Sequence, residues 1–185
     1  QLNVRAERIA GNTVQTSAGE FEASDIVIAT DATTATQLLE LGEVSRMQGC
    51  VTWYHATGNN PSGTGHLLLD GQNRGPVMNS LVISDISKAY APEGMNLISS
   101  TTELGTTDSE VRRHLSTMWG VETRDWQLIA KYEIPSALPL HHVGKELTQP
   151  TKMSEHLYVA GDHRTVPSQQ GALFSGSLAA QLILN

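Results

Sequence analysis

Hydrophobic and polar positions change rhythm several times along this chain. Residues 2–24 carry short apolar bursts broken at Gly11-Asn12 and Ala18-Gly19, which predicts a meander of strands over 4–9, 13–17 and 20–23. Asp25-Ile26-Val27-Ile28-Ala29-Thr30 runs on without alternation, as a strand buried on both faces would. Asp31 or Thr33 is placed to cap a following helix, with Leu38, Leu39 and Leu41 on its apolar side and Gly42 as its stop.

From residue 43 to about 140 the texture changes. Residues 50–56, 67–69, 77–84, 95–102 and 126–134 read as strands of an antiparallel sheet, with a Gly-, Asn-, Pro- and Ser-rich loop over 57–65. Thr107-Asp108-Ser109-Glu110 forms a capping box. It opens a helix with Val111, Leu115 and Met118 on one face and Gly120 at its end. Pro135 and Pro139 then predict an extended return segment.

The last stretch is a short apolar strand over 157–160, the turn Gly161-Asp162, a polar loop, Pro167-Ser168, and a helix rich in small residues. Bare N–H groups and the positive end of a helix dipole would meet at that loop, so it can hold an anion. Gly171 and Ala172 would leave room for a flat ring or a phosphate beside the backbone. The alternative is a helix whose small face simply packs on a sheet. Two strand-turn-helix units, one at each end, predict neighbouring strands in a mostly parallel sheet, with Thr30-Asp31 and Gly161-Asp162 at one edge.

Composition narrows the function. The formal charge is −7, and Lys and Arg form no cluster, so nothing marks a nucleic-acid footprint. Arg112-Arg113 reads as a solvated helix face. Cys50 is the single cysteine, set in an apolar run as a buried, inert thiol; no internal disulfide can form. No apolar run is long enough to span a bilayer, and no signal-peptide pattern opens the chain. The histidines have no metal-ligand spacing, and His163, after Asp162, is placed to contact a phosphate or solvent, with solvent expected. Lys88, Lys131, Lys145 and Lys152 read as solvated side chains. Trp53, Trp119 and Trp126 read as core residues, though Trp53-Tyr54 would also suit a substrate pocket.

The C-terminal residues Ala160-Gly161-Asp162, Pro167-Ser168, Gly171-Ala172, Ser175-Gly176 and Ala179-Ala180 resemble the flavin motif of the FAD-dependent superfamily of amine oxidases, protoporphyrinogen oxidases and phytoene desaturases. Ala23 to Thr30 is similar to the strand that precedes the second domain in those proteins, with Ser24 inserted after the Ala. The run from Tyr132 to Pro139, ending Ala137-Leu138-Pro139, is also similar. The superfamily's opening G-x-G-x-x-G loop has no match: Gly63-Thr64-Gly65 lacks the third glycine and precedes no helical pattern.

The resemblance implies an α+β chain, a C-terminal fragment of an FAD/NAD(P)-binding α/β fold with an inserted antiparallel-sheet substrate domain. Residues 1–42 would be a partial FAD-binding domain, 43–140 the substrate-binding domain, and 141–185 the closing FAD-binding strand-loop-helix. The implied FAD contacts are Gly161, Asp162, Ser168, Gln170, Gly171 and Ala172, with Asp162 near the ribityl and pyrophosphate region, a role compatible with capping loop amides. The implied activity is flavin-dependent removal of a hydride from a C–H or C–N bond of an apolar or amine small molecule. Residues 166–170 lack the aromatic that amine oxidases place there, which shifts the expectation toward desaturases and porphyrinogen oxidases. A redox-neutral flavin isomerase or mutase, and a non-catalytic binding or assembly module, remain the alternatives. The fragment alone is expected to bind FAD weakly or not at all, to be cytoplasmic, and to form a homodimer through faces its truncation exposes.

Overall fold

The computed structural model describes residues 1–40, 46–141, 143–144 and 146–185. Leu41, Gly42, His142 and Lys145 lie outside those residues. In chain order the strands are β1 (Ala6–Ala10), β2 (Thr13–Thr16), β3 (Gly19–Glu22), β4 (Ile26–Ile28), β5 (Met47–Thr57), β6 (Leu68–Leu69), β7 (Val77–Val82), β8 (Asn96–Thr102), β9 (Gln127–Pro139) and β10 (Leu157–Val159). The α-helices are α1 (Ala32–Leu38), α2 (Ile83–Ile86), α3 (Asp108–Trp119) and α4 (Gln169–Leu184), with 3-10 turns at Lys88–Tyr90 and Asp162–Arg164. Helices and mostly antiparallel sheets make the chain α+β. It divides into two compact units, Gln1–Gln48 with Leu138–Asn185, and Gly49–Ala137.

In the first unit β1, β2 and β3 form an antiparallel meander, turning at Gly11 (φ 60°) and Gly19 (φ 114°). β4 pairs with β10 in parallel, Ile26 beside Leu157 and Ile28 beside Val159. Asp31 caps α1: its carboxylate accepts from the Thr33 and Thr34 amides and the Thr34 hydroxyl. These bonds, the hydroxyl's foremost, hold the Asp31 pKa below the usual carboxylate value.

Successive residues of β10 point to opposite faces. Val159 joins Ile28, Ala35 and Leu38 in one buried cluster, whereas Tyr158 and Ala160 pack with Ala179 of α4 in another. Val27, on the Tyr158 side, is 42% exposed. The expected burial of β4 on both faces is therefore corrected: among the described residues α4 covers β10 but leaves its neighbour bare.

The second unit is a five-stranded sheet in the order β6-β7-β8-β5-β9. β5 and β8 run antiparallel from Val51–Thr102 to Thr57–Asn96, and β7 joins β8 with a bulge between Val77 and Asn79. α3 brings Val111 and Leu115 onto Val51, Trp53, Val77, Val82, Ile98 and Trp126. Its capping box forms as the sequence predicts, and Gly120 ends it in the left-handed conformation at φ 67°.

Three local expectations differ. β7 stops at Val82 because the chain coils into α2, turning Ser84 inward to accept the Leu97 amide at 3.1 Å. β9 continues through Pro135 to Pro139; an edge strand tolerates the missing N–H. Cys50 is half-buried in β5 instead of enclosed.

Arg112 is not a solvated residue. It bonds Asp108 at 2.7 Å and the carbonyls of Thr123 and Trp126, tying the 120s loop to α3. Asp108 also accepts from Nε2 of the fully buried His55 at 2.8 Å. On the other side of α3, His114 Nδ1 accepts the Val77 amide at 3.0 Å, and its Nε2 lies 3.1 Å from buried Asp70. Lys131 Nζ stands 5.0 Å from the Trp53 ring centroid and Lys152 Nζ 5.7 Å from that of Tyr158, each cation over an aromatic face.

Candidate functional site

The parallel pairing of β4 and β10 sends both strands out of the sheet at the same end. Ile28 and Val159 are register partners, and the Ala160 amide still donates to the Ile28 carbonyl at 2.9 Å. Thr30-Asp31 and Gly161-Asp162 therefore leave at one edge, as the two strand-turn-helix patterns predict. Segment 151–153 borders β10 on its other side, through Val159 to Thr151 and Met153 to Leu157 backbone bonds.

Gly161 takes φ 156°, and a Cβ there would run into the imidazole of His163. His163 is accordingly packed against the chain, its side chain 8% exposed, which corrects the solvent-facing expectation. The Gly161 amide donates to Ser175 Oγ at 2.7 Å, and that hydroxyl donates to the Ala172 carbonyl at 2.9 Å. The turn is thus tethered to the second turn of α4. Among the described residues no loop amide donates to the carboxylate of Asp162. Its backbone carbonyl takes the Thr165 amide at 3.3 Å, and its carboxylate lies 4.0 Å from His163 Nδ1.

Ser168 is the N-cap of α4: its hydroxyl accepts the Gly171 amide at 3.0 Å and its carbonyl the Ala172 amide at 3.0 Å. Gln169 and Gln170 are exposed, and their amides have no acceptor among the described residues. The first turn contains no acidic side chain. This helix start presents bare donors and positive dipole charge, uncompensated, to whatever lies in front of it.

The two small residues differ in role. Gly171 is buried, and a Cβ on it would strike the Val166 carbonyl and come within 2.6 Å of Thr165 Oγ1. The room it leaves is filled by the preceding loop, not kept for a ligand, which corrects that part of the sequence reading. Ala172, the next residue, is exposed.

Two hollows adjoin this region within the first unit. A cleft of about 530 Å³ opens at the end of β4, lined by Arg5, Glu7, Thr30, Thr34 and Gln37. A smaller hollow lies between residues 139–149 and the loop, lined by His141, Glu146, Gln149, His163 and Thr165. Arg164 fixes that loop, donating to the Pro150 carbonyl while its own carbonyl accepts the Gln149 amide at 2.8 Å. Burial alone lowers its pKa. Among the described residues no group of three or more His, Cys, Asp or Glu side chains could hold a metal ion. None of their helices is long and apolar enough to cross a membrane.

Sequence reasoning placed Ser175 in the motif without giving it a task. Its clue was a lone hydroxyl amid Gly and Ala on the helix face that meets the strand end.

No family model and no curated protein matches the sequence. Solved structures do match. Reduced UDP-galactopyranose mutase aligns with a TM-score of 0.72 at 15% identity, over 97% of this chain and 46% of that one. An oxidoreductase from Methanosarcina mazei aligns with a TM-score of 0.66 at 12% identity, over 96% of this chain and 48% of that one. A mutant halogenase in complex with FAD gives 0.53 at 10% identity, over 97% and 41%. The chain thus shares the fold of these proteins, one of them solved with FAD, and spans about half their length.

Proposed function

We propose that this chain is the C-terminal portion of a flavin-dependent oxidoreductase. In this reading residues 1–42 and 141–185 are parts of the FAD-binding domain and 43–140 the substrate-binding domain. The observation that carries it is the in-register parallel pair β4–β10, whose second strand turns through Gly161 into a Ser168-capped helix with bare amides. Such a strand end and helix start suit a dinucleotide and the anionic edge of its ring.

The residues fit the cofactor. Gly161 and Asp162 line the turn, Ser168 fixes the helix start, and the Gln170 amide and the exposed Ala172 face outward for the ring. Gly171 serves by letting the loop close beneath them. FAD, when bound, supplies the electron-accepting ring. The N-terminus of α4 would stabilise negative charge at the ring's edge, because its dipoles are already oriented. In this reading the substrate loses hydride from a C–H or C–N bond. With no aromatic at 166–170, an apolar substrate that loses hydride from carbon fits better than an amine.

A redox-neutral mutase is the second reading, because reduced UDP-galactopyranose mutase shares this fold. One experiment separates them. The full-length flavoprotein, held without oxygen, is offered amines, porphyrinogens and polyenes while the flavin absorbance is followed. Bleaching by one class supports the oxidase or desaturase reading. Isomerisation that needs dithionite supports the mutase. A full-length protein that takes up no flavin overturns both and leaves a binding module. The 185-residue chain alone is expected to hold FAD weakly, and tight stoichiometric binding in a titration would refute that.

A further inference from the structure

β9 is the edge strand of the five-stranded sheet, and most of it is exposed. Leu128, Ile129, Tyr132 and Ile134 are 37%, 52%, 57% and 41% exposed. A long edge with apolar side chains is a template for another strand. Native edges are usually blunted by charge or proline. β9 has Pro135 and two charged residues, Lys131 and Glu133, paired with each other at 2.6 Å. They carry opposite signs two positions apart on one face, so they can repel or attract a second strand according to register.

We propose that a second copy of this chain pairs antiparallel with β9, about a two-fold axis beside Tyr132. A two-fold axis normal to the sheet keeps faces matched only when one residue opposes itself. Centred on Lys131 or on Glu133, it sets like charges against each other. Centred on Tyr132, it sets Lys131 against the partner's Glu133 and Glu133 against the partner's Lys131. No other register of this strand brings both charges against opposite ones. Tyr132 already meets Tyr54 edge-on at 6.0 Å, so two copies of Tyr132 side by side would extend that pair into a row of four rings. Ala130 then meets the partner's Ile134, and Ile129 the partner's Pro135, which has no N–H to donate. The partner is a second copy because the edge is complementary to itself.

Sedimentation of the whole chain over micromolar to submillimolar concentration tests this. Wild type forms a dimer. Lys131→Glu and Glu133→Lys, checked as folded by circular dichroism, each weaken it by about tenfold or more, since both crossings become like-charged. An equimolar mixture of the two variants dimerises again, because every acid then faces a base. In a Cys50→Ser background, Tyr132→Cys cross-links to itself on oxidation, whereas Ala130→Cys does not. A wild type that stays monomeric throughout overturns the proposal. So does a dimer indifferent to both charge reversals, or a mixture that stays dissociated.

Discussion

The amide of Gly161 donates to the hydroxyl of Ser175 at 2.7 Å, joining the turn after β10 to the face of α4 that covers it. Ser175 is fully buried, and the Gly161 amide is partly buried. The same hydroxyl donates to the Ala172 carbonyl, so it ties the turn to the helix start.

Ser175→Ala should therefore cost about 0.5–1.5 kcal/mol, the net worth of a typical hydrogen bond, because the Gly161 amide is only partly buried. Urea denaturation of both proteins measures it. An unchanged midpoint would mean that the turn finds another acceptor.

Two glycines of α4 should respond to alanine in opposite directions. At Gly171 the new methyl would meet the Val166 carbonyl and Thr165 Oγ1, both fixed by the loop. Gly171→Ala should lose about 1–3 kcal/mol through overpacking. At Gly176 nothing lies within 4 Å of the new carbon. Gly176→Ala should gain roughly 0.5–1 kcal/mol, because alanine loses less backbone freedom in a helix. Thermal melts of both variants check the pair, and matching signs would contradict the packing described for Gly171.

What the sequence made legible was local or periodic. The β-branched run at 25–30, the Gly161-Asp162 turn and the Thr107 capping box each announce themselves within a few residues. The parallel pairing followed because two such units want one sheet. Contacts between distant residues were not legible. Arg112 looked solvated because its acceptors, the carbonyls of Thr123 and Trp126, lie a loop away. His163 looked exposed because the hollow that receives it depends on the missing Cβ of Gly161. Val27 looked buried because its run is apolar, and a pattern cannot say which faces will find a cover.

Stability should fall in acid through the His55–Asp108 pair. Burial lowers the His55 pKa below its ordinary 6.5, outweighing the pull of Asp108 in the other direction, so the folded state keeps the ring neutral. For Asp108 burial alone would raise the pKa, but the bonds from His55 and Arg112 bring it below 3.8. Below pH 6.5 the unfolded chain binds a proton at His55 that the folded chain refuses, so stability declines as pH falls toward the depressed folded value. Asp108 adds a second decline below 3.8. Denaturation midpoints between pH 8 and 5 should drop for wild type and flatten in His55→Gln. A wild-type profile level across that range would contradict the neutral, buried ring.

Ala172 offers a way to separate folding from cofactor binding. It is exposed, next to the capped start of α4, and leucine is nearly as good a helix former as alanine. Ala172→Leu should leave the stability of the chain within about 0.5 kcal/mol, the usual range for surface changes. If the flavin ring rests on this turn, the larger side chain occupies its place. The full-length protein should then lose FAD affinity by about tenfold or more, a difference of about 1.4 kcal/mol. Gly171→Ala, by contrast, should lower both quantities, since it disturbs the loop itself. A full-length Ala172→Leu that keeps wild-type FAD affinity would place the cofactor elsewhere and remove the support that the bare amides of α4 give to the flavin reading.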